Sequence, residues 1–183
     1  MSATDRGLTP RPDDLTVIRL ARLTLLLAAA PGQPQPKPLD VERLATYDFF
    51  ADNPLLVFAP GTPEYSSALL AGFEPQSLSY SSASQRFTNR RARLQNDLAL
   101  LLARGLVQGK TEGKRVVYEL TDRGHVLAGE FSSVYAQGYR VSARLIARAL
   151  NRLGSRALRD RTTSMLHAEA FLVDLDLVEQ ATP

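Results

Sequence analysis

Cysteine is absent from this 183-residue chain, which excludes a disulfide framework, a thiolate nucleophile and a Cys-ligated zinc site. Tryptophan is absent as well, and histidine occurs only at His125 and His167. Two histidines without cysteine are too few to close a zinc site, and neither HExxH nor HxH spacing is present. Both read as solvated or hydrogen-bonded structural residues. No glycine-rich phosphate cradle of the GxxxxGKS or GxGxxG kind occurs. The serines Ser77, Ser79, Ser81, Ser82 and Ser84 lack a GxSxG elbow or an SxxK partner. The expectation is a protein that is not an enzyme and uses no cofactor, metal or small-molecule substrate.

Long hydrophobic runs are missing too. Leu23 to Ala30 is the longest, far short of the roughly 20 residues that span a bilayer. Arg19, Arg22 and the Ala28, Ala29, Ala30 triplet imitate a signal peptide. Asp13 and Asp14 precede them, however, and Leu15, Ile18, Leu23 and Leu26 keep a helical period, so a buried helix is expected there. No membrane association is expected, and the cytoplasm is the expected location.

What is present is an uneven charge. The net value of +3 divides into 6 basic and 9 acidic residues over 1–83, 16 and 6 over 84–161, and 0 and 4 over 162–183. The middle block therefore carries +10 between two acidic ones. A field of that sign favours a polyanionic partner, either duplex DNA or an acidic protein face. The competing reading is an arginine-rich solvated helix surface.

Along the chain, residues 1–12 read as a flexible tail. A first helix is expected from Asp13 or Asp14 to about Ala30, stopped by Pro31 and Gly32. Asp40 is expected to cap a second helix that buries Val41, Leu44, Tyr47 and Phe50 and ends near Asn53 and Pro54. Residues 53–83 lose clear period apart from a short helix near Glu64 to Ala71. A long excursion of this kind implies function, with Leu55, Phe58, Tyr65 and Phe73 as candidate partner anchors.

From Ser84 to Arg104, SQRFTNRRARLQNDLALLLAR places Arg86, Arg90, Arg93, Asp97 and Arg104 on one helical face and Phe87, Leu94, Leu98 and Leu101 on another. Gly105 stops that helix. LVQGK and KRVVYEL then read as two strands around a tight turn, with Val116, Tyr118 and Leu120 inward, and Thr121 caps a helix running to about Ser133. Further on, Arg140, Arg144, Arg148, Arg152 and Arg156 recur every four residues, which on one helix would form a drifting ribbon.

The order of helix, Gly stop, hairpin and Thr-capped helix over Ser84 to Ser133 resembles the wing region of MarR-like and PadR-like regulators. The resemblance implies a mainly α fold with a small β-hairpin. It is a winged helix over residues 13–134 with an insertion at about 53–83, followed by a C-terminal helical arm over 135–183. A DNA-binding regulator of that type would read bases with Arg86, Asn89, Arg90 and Arg93 and grip phosphates with Lys110, Lys114 and Arg115. Against this stands the connection of about thirty residues between the two helices that a helix-turn-helix joins by three or four.

A second resemblance spans residues 15–153. The Leu-rich first helix, PLDVERLATYDFF, RRARLQNDLALLLARGLV, YELTDRGHVLAGEF and the Arg-rich helix are similar to the middle component of ABC-three-component systems, the Lamassu-type bacterial defence assemblies. This implies an adaptor between an SMC/Rad50-like ATPase subunit and an effector subunit. Duplex DNA and a second copy of the chain stand as further partners, and Arg144, Arg148 and Arg152 are expected to face an acidic or phosphate-bearing surface.

Overall fold

The computed structural model describes residues 15–32, 36–75 and 82–180, with side chains described up to His167. Seven α-helices and one small sheet make up these residues. Helix α1 (Thr16–Ala29) carries the run Leu23 to Leu27 into the core. It begins after Leu15 without a side-chain cap; Asp13 and Asp14 lie outside the described residues. Helix α2 (Val41–Asp52) is capped as expected, the Asp40 carboxylate accepting from the Arg43 N–H at 2.8 Å.

Eight consecutive residues of α2, Leu44 to Ala51, are buried. A one-sided helix would bury about half of them; here α1, the long helix α4 (Ala83–Ala103) and α6 (Val134–Leu150) all pack against it. Arg43 donates to the Tyr47 hydroxyl at 3.0 Å and to the Leu153 carbonyl.

The excursion after α2 holds a short 3-10 turn (Pro54–Leu56) and helix α3 (Pro63–Leu70), which starts at a Thr62 cap. Residues 76–81, including Ser77, Ser79 and Ser81, lie outside the described residues. Ser82 caps α4 (Ala83–Ala103) by accepting from the Gln85 N–H. Gly105 ends α4 in the left-handed region at φ 63°, a conformation that costs other residues a Cβ clash.

Strands β2 (Val107–Glu112) and β3 (Arg115–Leu120) form an antiparallel hairpin with Glu112 opposite Arg115. The turn is therefore Gly113–Lys114, with Gly113 at φ 61°. A third strand, β1 (Leu39–Asp40), pairs with β3 through Leu39↔Tyr118 and Asp40↔Val117, giving the order β1-β3-β2. The expected bare hairpin is thus a three-stranded sheet. With β3 in its middle, Val117 is buried while Val116 is 48% exposed, the reverse of their expected places. Thr121 caps α5 (Asp122–Glu130) through the Gly124 N–H. A Cβ on Gly124 would overlap the Leu106 carbonyl, so this helix start lies flush on the end of α4.

Helix α6 (Val134–Leu150) is capped by Ser133 and buries Ala136, Tyr139, Ala143, Ile146, Ala147 and Leu150. It packs on α1, α2 and α3. Residues 134–150 are accordingly a central element, not the start of an appended arm. Gly138 lets α3 come close, because a Cβ there would overlap the Ala71 carbonyl oxygen. Helix α7 (Ser155–Gln180) follows a break at residues 151–154, so the five periodic arginines do not share one helix. Its first half buries Leu158, Thr162, Met165 and Leu166 against the same core.

Candidate interaction surface

The positive block divides into two populations once folded. Arg90 of α4 points inward: its side chain is 9% exposed, pairs with Asp52 Oδ2 at 2.7 Å and donates to the Asp48 carbonyl at 3.0 Å. Arg22 of α1, 1% exposed, reaches the same two acids, at 3.2 Å to Asp52 and 3.9 Å to Asp48. From α6, the Tyr139 hydroxyl donates to Asp48 Oδ1 at 2.9 Å and the Tyr135 hydroxyl to Asp52 Oδ1 at 3.2 Å. Two cations and two anions thus form a neutral junction that joins four helices. Burial, reinforced by the negative charge of Asp48, raises the Tyr139 pKa well above its ordinary value. Burial and Asp52 together push Tyr135 up to about 12.

Arg86 turns to the same side, donating to Asn53 Oδ1 at 3.0 Å with its guanidinium 5.9 Å from the Phe49 ring centre. About three turns further along α4, Asp97 is buried and held by Arg19 through bonds of 2.8 and 3.0 Å. Of the four side chains proposed to read bases, Arg86 and Arg90 are therefore engaged inside the fold, while Asn89 and Arg93 are exposed. The outward side of α4 is Gln85, Thr88, Asn89, Ala92, Gln95, Asn96 and Ala99, bordered by Arg91 and Arg93. It contains no acid, since Asp97 is the only one in α4 and is buried.

On the hairpin, Lys110 pairs with Glu119, which also accepts from Gln108 at 2.6 Å. The Lys110 bond lowers the Glu119 pKa despite opposing desolvation. Lys114 is exposed at the turn. Arg115 bonds Asp40 Oδ2 at 3.1 Å and Ser155 Oγ at 2.8 Å, tying the hairpin to the start of α7. The remaining arginines separate similarly. Arg140 donates to the Ala128 carbonyl and is half-buried. Arg144, Arg148 and Arg152 are exposed, the first two one turn apart on the outer face of α6.

Leu55, Phe58, Tyr65 and Phe73 are all half-buried, with Phe58 against the main core. Among the described residues of the excursion, the large apolar side chains that are exposed are Leu69 and Leu70, the latter 91% exposed. The sequence carried a signal for them: adjacent leucines at the end of a short helix cannot both face inward. Phe58 and Val57 also wall a slot of about 610 Å³ with Ala149, Leu150 and Leu153 of the α6 end and Ala157, Asp160 and Arg161 of α7. A second depression, between α4 and α5, is lined by Arg104, Leu106, Asp122, Arg123, Val126, Leu127 and Glu130.

His125 and His167 are exposed, and among the described residues no group of three or more His, Asp or Glu is placed to hold a metal. No described helix is long and apolar enough to cross a membrane.

Neither a curated protein nor a solved structure matches this chain. A family model does match, over residues 21–169, which run from α1 through the buried half of α7. That stretch includes every element of the junction and of the exposed basic surface, and the chain belongs to the family ABC-three component (ABC-3C) system Middle Component 2.

Proposed function

We propose that this chain is the non-catalytic adaptor of its system, a winged-helix subunit that docks on an SMC/Rad50-like ATPase component and connects it to the effector. The assembly in this reading is a Lamassu-type defence complex working in the cytoplasm. The winged-helix part of the reading is supported by the order α1-β1-α2, then α4-β2-β3-α5, and by the strand order β1-β3-β2. The observation that carries the adaptor role is the orientation of α4. Arg86 and Arg90, the cations that a base-reading helix would use, are bonded to Asn53, Asp48 and Asp52 inside the fold. The excursion between α2 and α4 adds apolar surface at Leu69 and Leu70, which suits a protein contact better than a groove.

A second reading has its own support. The acid-free outer face of α4, with Asn89, Gln95, Asn96 and Arg93, has side chains capable of contacting adenine and guanine edges. Lys114 on the wing suits a phosphate. Co-expression with the ATPase and effector components separates the two. The adaptor reading expects a stable complex that survives moderate salt. Alone, the protein should show only weak, sequence-indifferent DNA binding that fades steeply as salt rises. Failure to form any complex, together with a sequence-specific nanomolar footprint, would overturn the adaptor reading in favour of the regulator.

A further inference from the structure

Helix α7 is charged against its own dipole. It has no acid in its first turn and no base in its last, whereas a helix is stabilised by the opposite arrangement. Arg156, Arg159 and Arg161 stand near its start, and Glu169, Asp174, Asp176 and Glu179 occupy the remainder without any base. The basic end continues onto α6: over residues 144–161 there are six arginines and one acid, Asp160, and all six arginines are exposed. In their midst lies the apolar slot walled by Phe58, Leu150, Leu153 and Ala157 and edged by Asp160 and Arg161; of the six, Arg159 is paired with Glu42 at 3.4 Å. Arg148 and Arg152 are each one residue from a member of its wall.

The chain itself contains a segment with complementary composition. Residues 168–180 combine those four acids with Phe171, Leu172, Val173, Leu175, Leu177 and Val178. That segment cannot fill its own slot. α7 is one continuous helix to Gln180, so Asp174 lies about 20 Å further along the axis than Arg161, which lines the slot.

We propose that the arginine-edged slot at the α6–α7 junction receives the acidic C-terminal half of α7 from a second copy, the two α7 helices pairing antiparallel. The arrangement is reciprocal, each copy giving one helix end and one slot, as two-fold symmetry requires. It sets acids beside the positive N-terminal end of each partner helix and arginines beside the negative end, correcting both dipole mismatches at once. The inference goes beyond the adaptor role and does not depend on it.

The test uses the purified full-length protein without other components. Analytical ultracentrifugation should find a monomer–dimer equilibrium whose Kd rises at least about tenfold between low salt and about 0.5 M salt, as screened charge pairing requires. A triple variant R148E/R152E/R161E and a triple variant D174K/D176K/E179K should each be monomeric, and mixing the two should restore a heterodimer. Ala157→Glu provides an independent check at an exposed wall position, with circular dichroism confirming the fold of every variant; it too should abolish the dimer. The proposal is overturned if the wild type stays monomeric up to about 100 μM, a range that covers weak association. It is equally overturned if folded variants dimerise like the wild type, or if the mixed charge-reversed pair fails to associate. A monomer that uses the same arginines to bind DNA or the ATPase component would assign the slot to that partner instead.

Discussion

Arg22 and Arg90 lie between helices, whereas Arg144, Arg148 and Arg152 lie on the surface. What separates them is the neighbouring helix. Asp48 and Asp52 sit one turn apart on α2 and meet both inner guanidinium groups. A guanidinium removed from water persists only where charge and hydrogen bonds compensate its desolvation. The outer arginines belong to a segment with one acid in 18 residues, and their compensation is solvent or a partner. Net charge along a stretch of sequence therefore overstates the field a partner meets, because part of it is neutralised inside the fold.

The largest test of this contrast is Arg22→Ala, which leaves Asp48 and Asp52 with one cation fewer in a buried site. A loss of about 3–5 kcal/mol is expected, read as a lower urea midpoint. A loss below 1 kcal/mol, about the worth of an exposed pair, would show that the junction is wet. Gly138→Ala comes next: its Cβ meets the Ala71 carbonyl, and forcing α3 away from α6 should cost about 1–3 kcal/mol. Calorimetry would expose an error if the melting temperature were unchanged.

Tyr139→Phe removes the hydroxyl that serves buried Asp48, with an expected cost of about 1–3 kcal/mol. The tyrosines also set a pH limit. The unfolded chain ionises them from about pH 10, while folded Tyr135 keeps its proton up to about 12. Stability is thus complete below about pH 10 and is lost as pH climbs through that window. A Y135F/Y139F double variant should lose less stability than the wild type between about pH 9 and pH 11; an equal loss in both would remove the tyrosines from the explanation. The smallest stability effect belongs to the outer set. R144E/R148E/R152E should change stability by less than about 0.5 kcal/mol while sharply weakening association with the second copy proposed above. Unchanged self-association, together with unchanged assembly with the other system components, would make those residues a solvated face.

Much of this fold was legible because its signals are local. The Asp40 and Thr121 caps, the Gly105 stop and the leucine stripe of α4 depend on neighbours a few residues away. β1 escaped because two residues have no period; only its pairing with β3, about 80 residues distant, defines it. The arginine face of α4 divides in the fold: Arg86, Arg90 and Asp97 are engaged inside, while Arg93 and Arg104 are exposed. A helical wheel shows which residues share a side, but which side meets water depends on what packs against it. Asp97 in the middle of the basic stripe was the clue, as was the Asp48–Asp52 spacing on a helix expected to be buried. The central place of α6 was obscured because most of its inward face is small, Ala136, Gly138, Ser142, Ala143 and Ala147, and such a face is recognised by close packing more than by hydropathy.

Asp40 joins three elements within one residue. Its backbone stands in the β1–β3 ladder, one carboxylate oxygen holds the first turn of α2, and the other holds Arg115, whose guanidinium also grips Ser155. Displacement of the hairpin by a bound partner therefore loads two distant points together, the entry to α2 and the base of α7. The linkage acts as a short lever arm: strain applied at the hairpin arrives at the helix that carries Glu169, Asp174, Asp176 and Glu179.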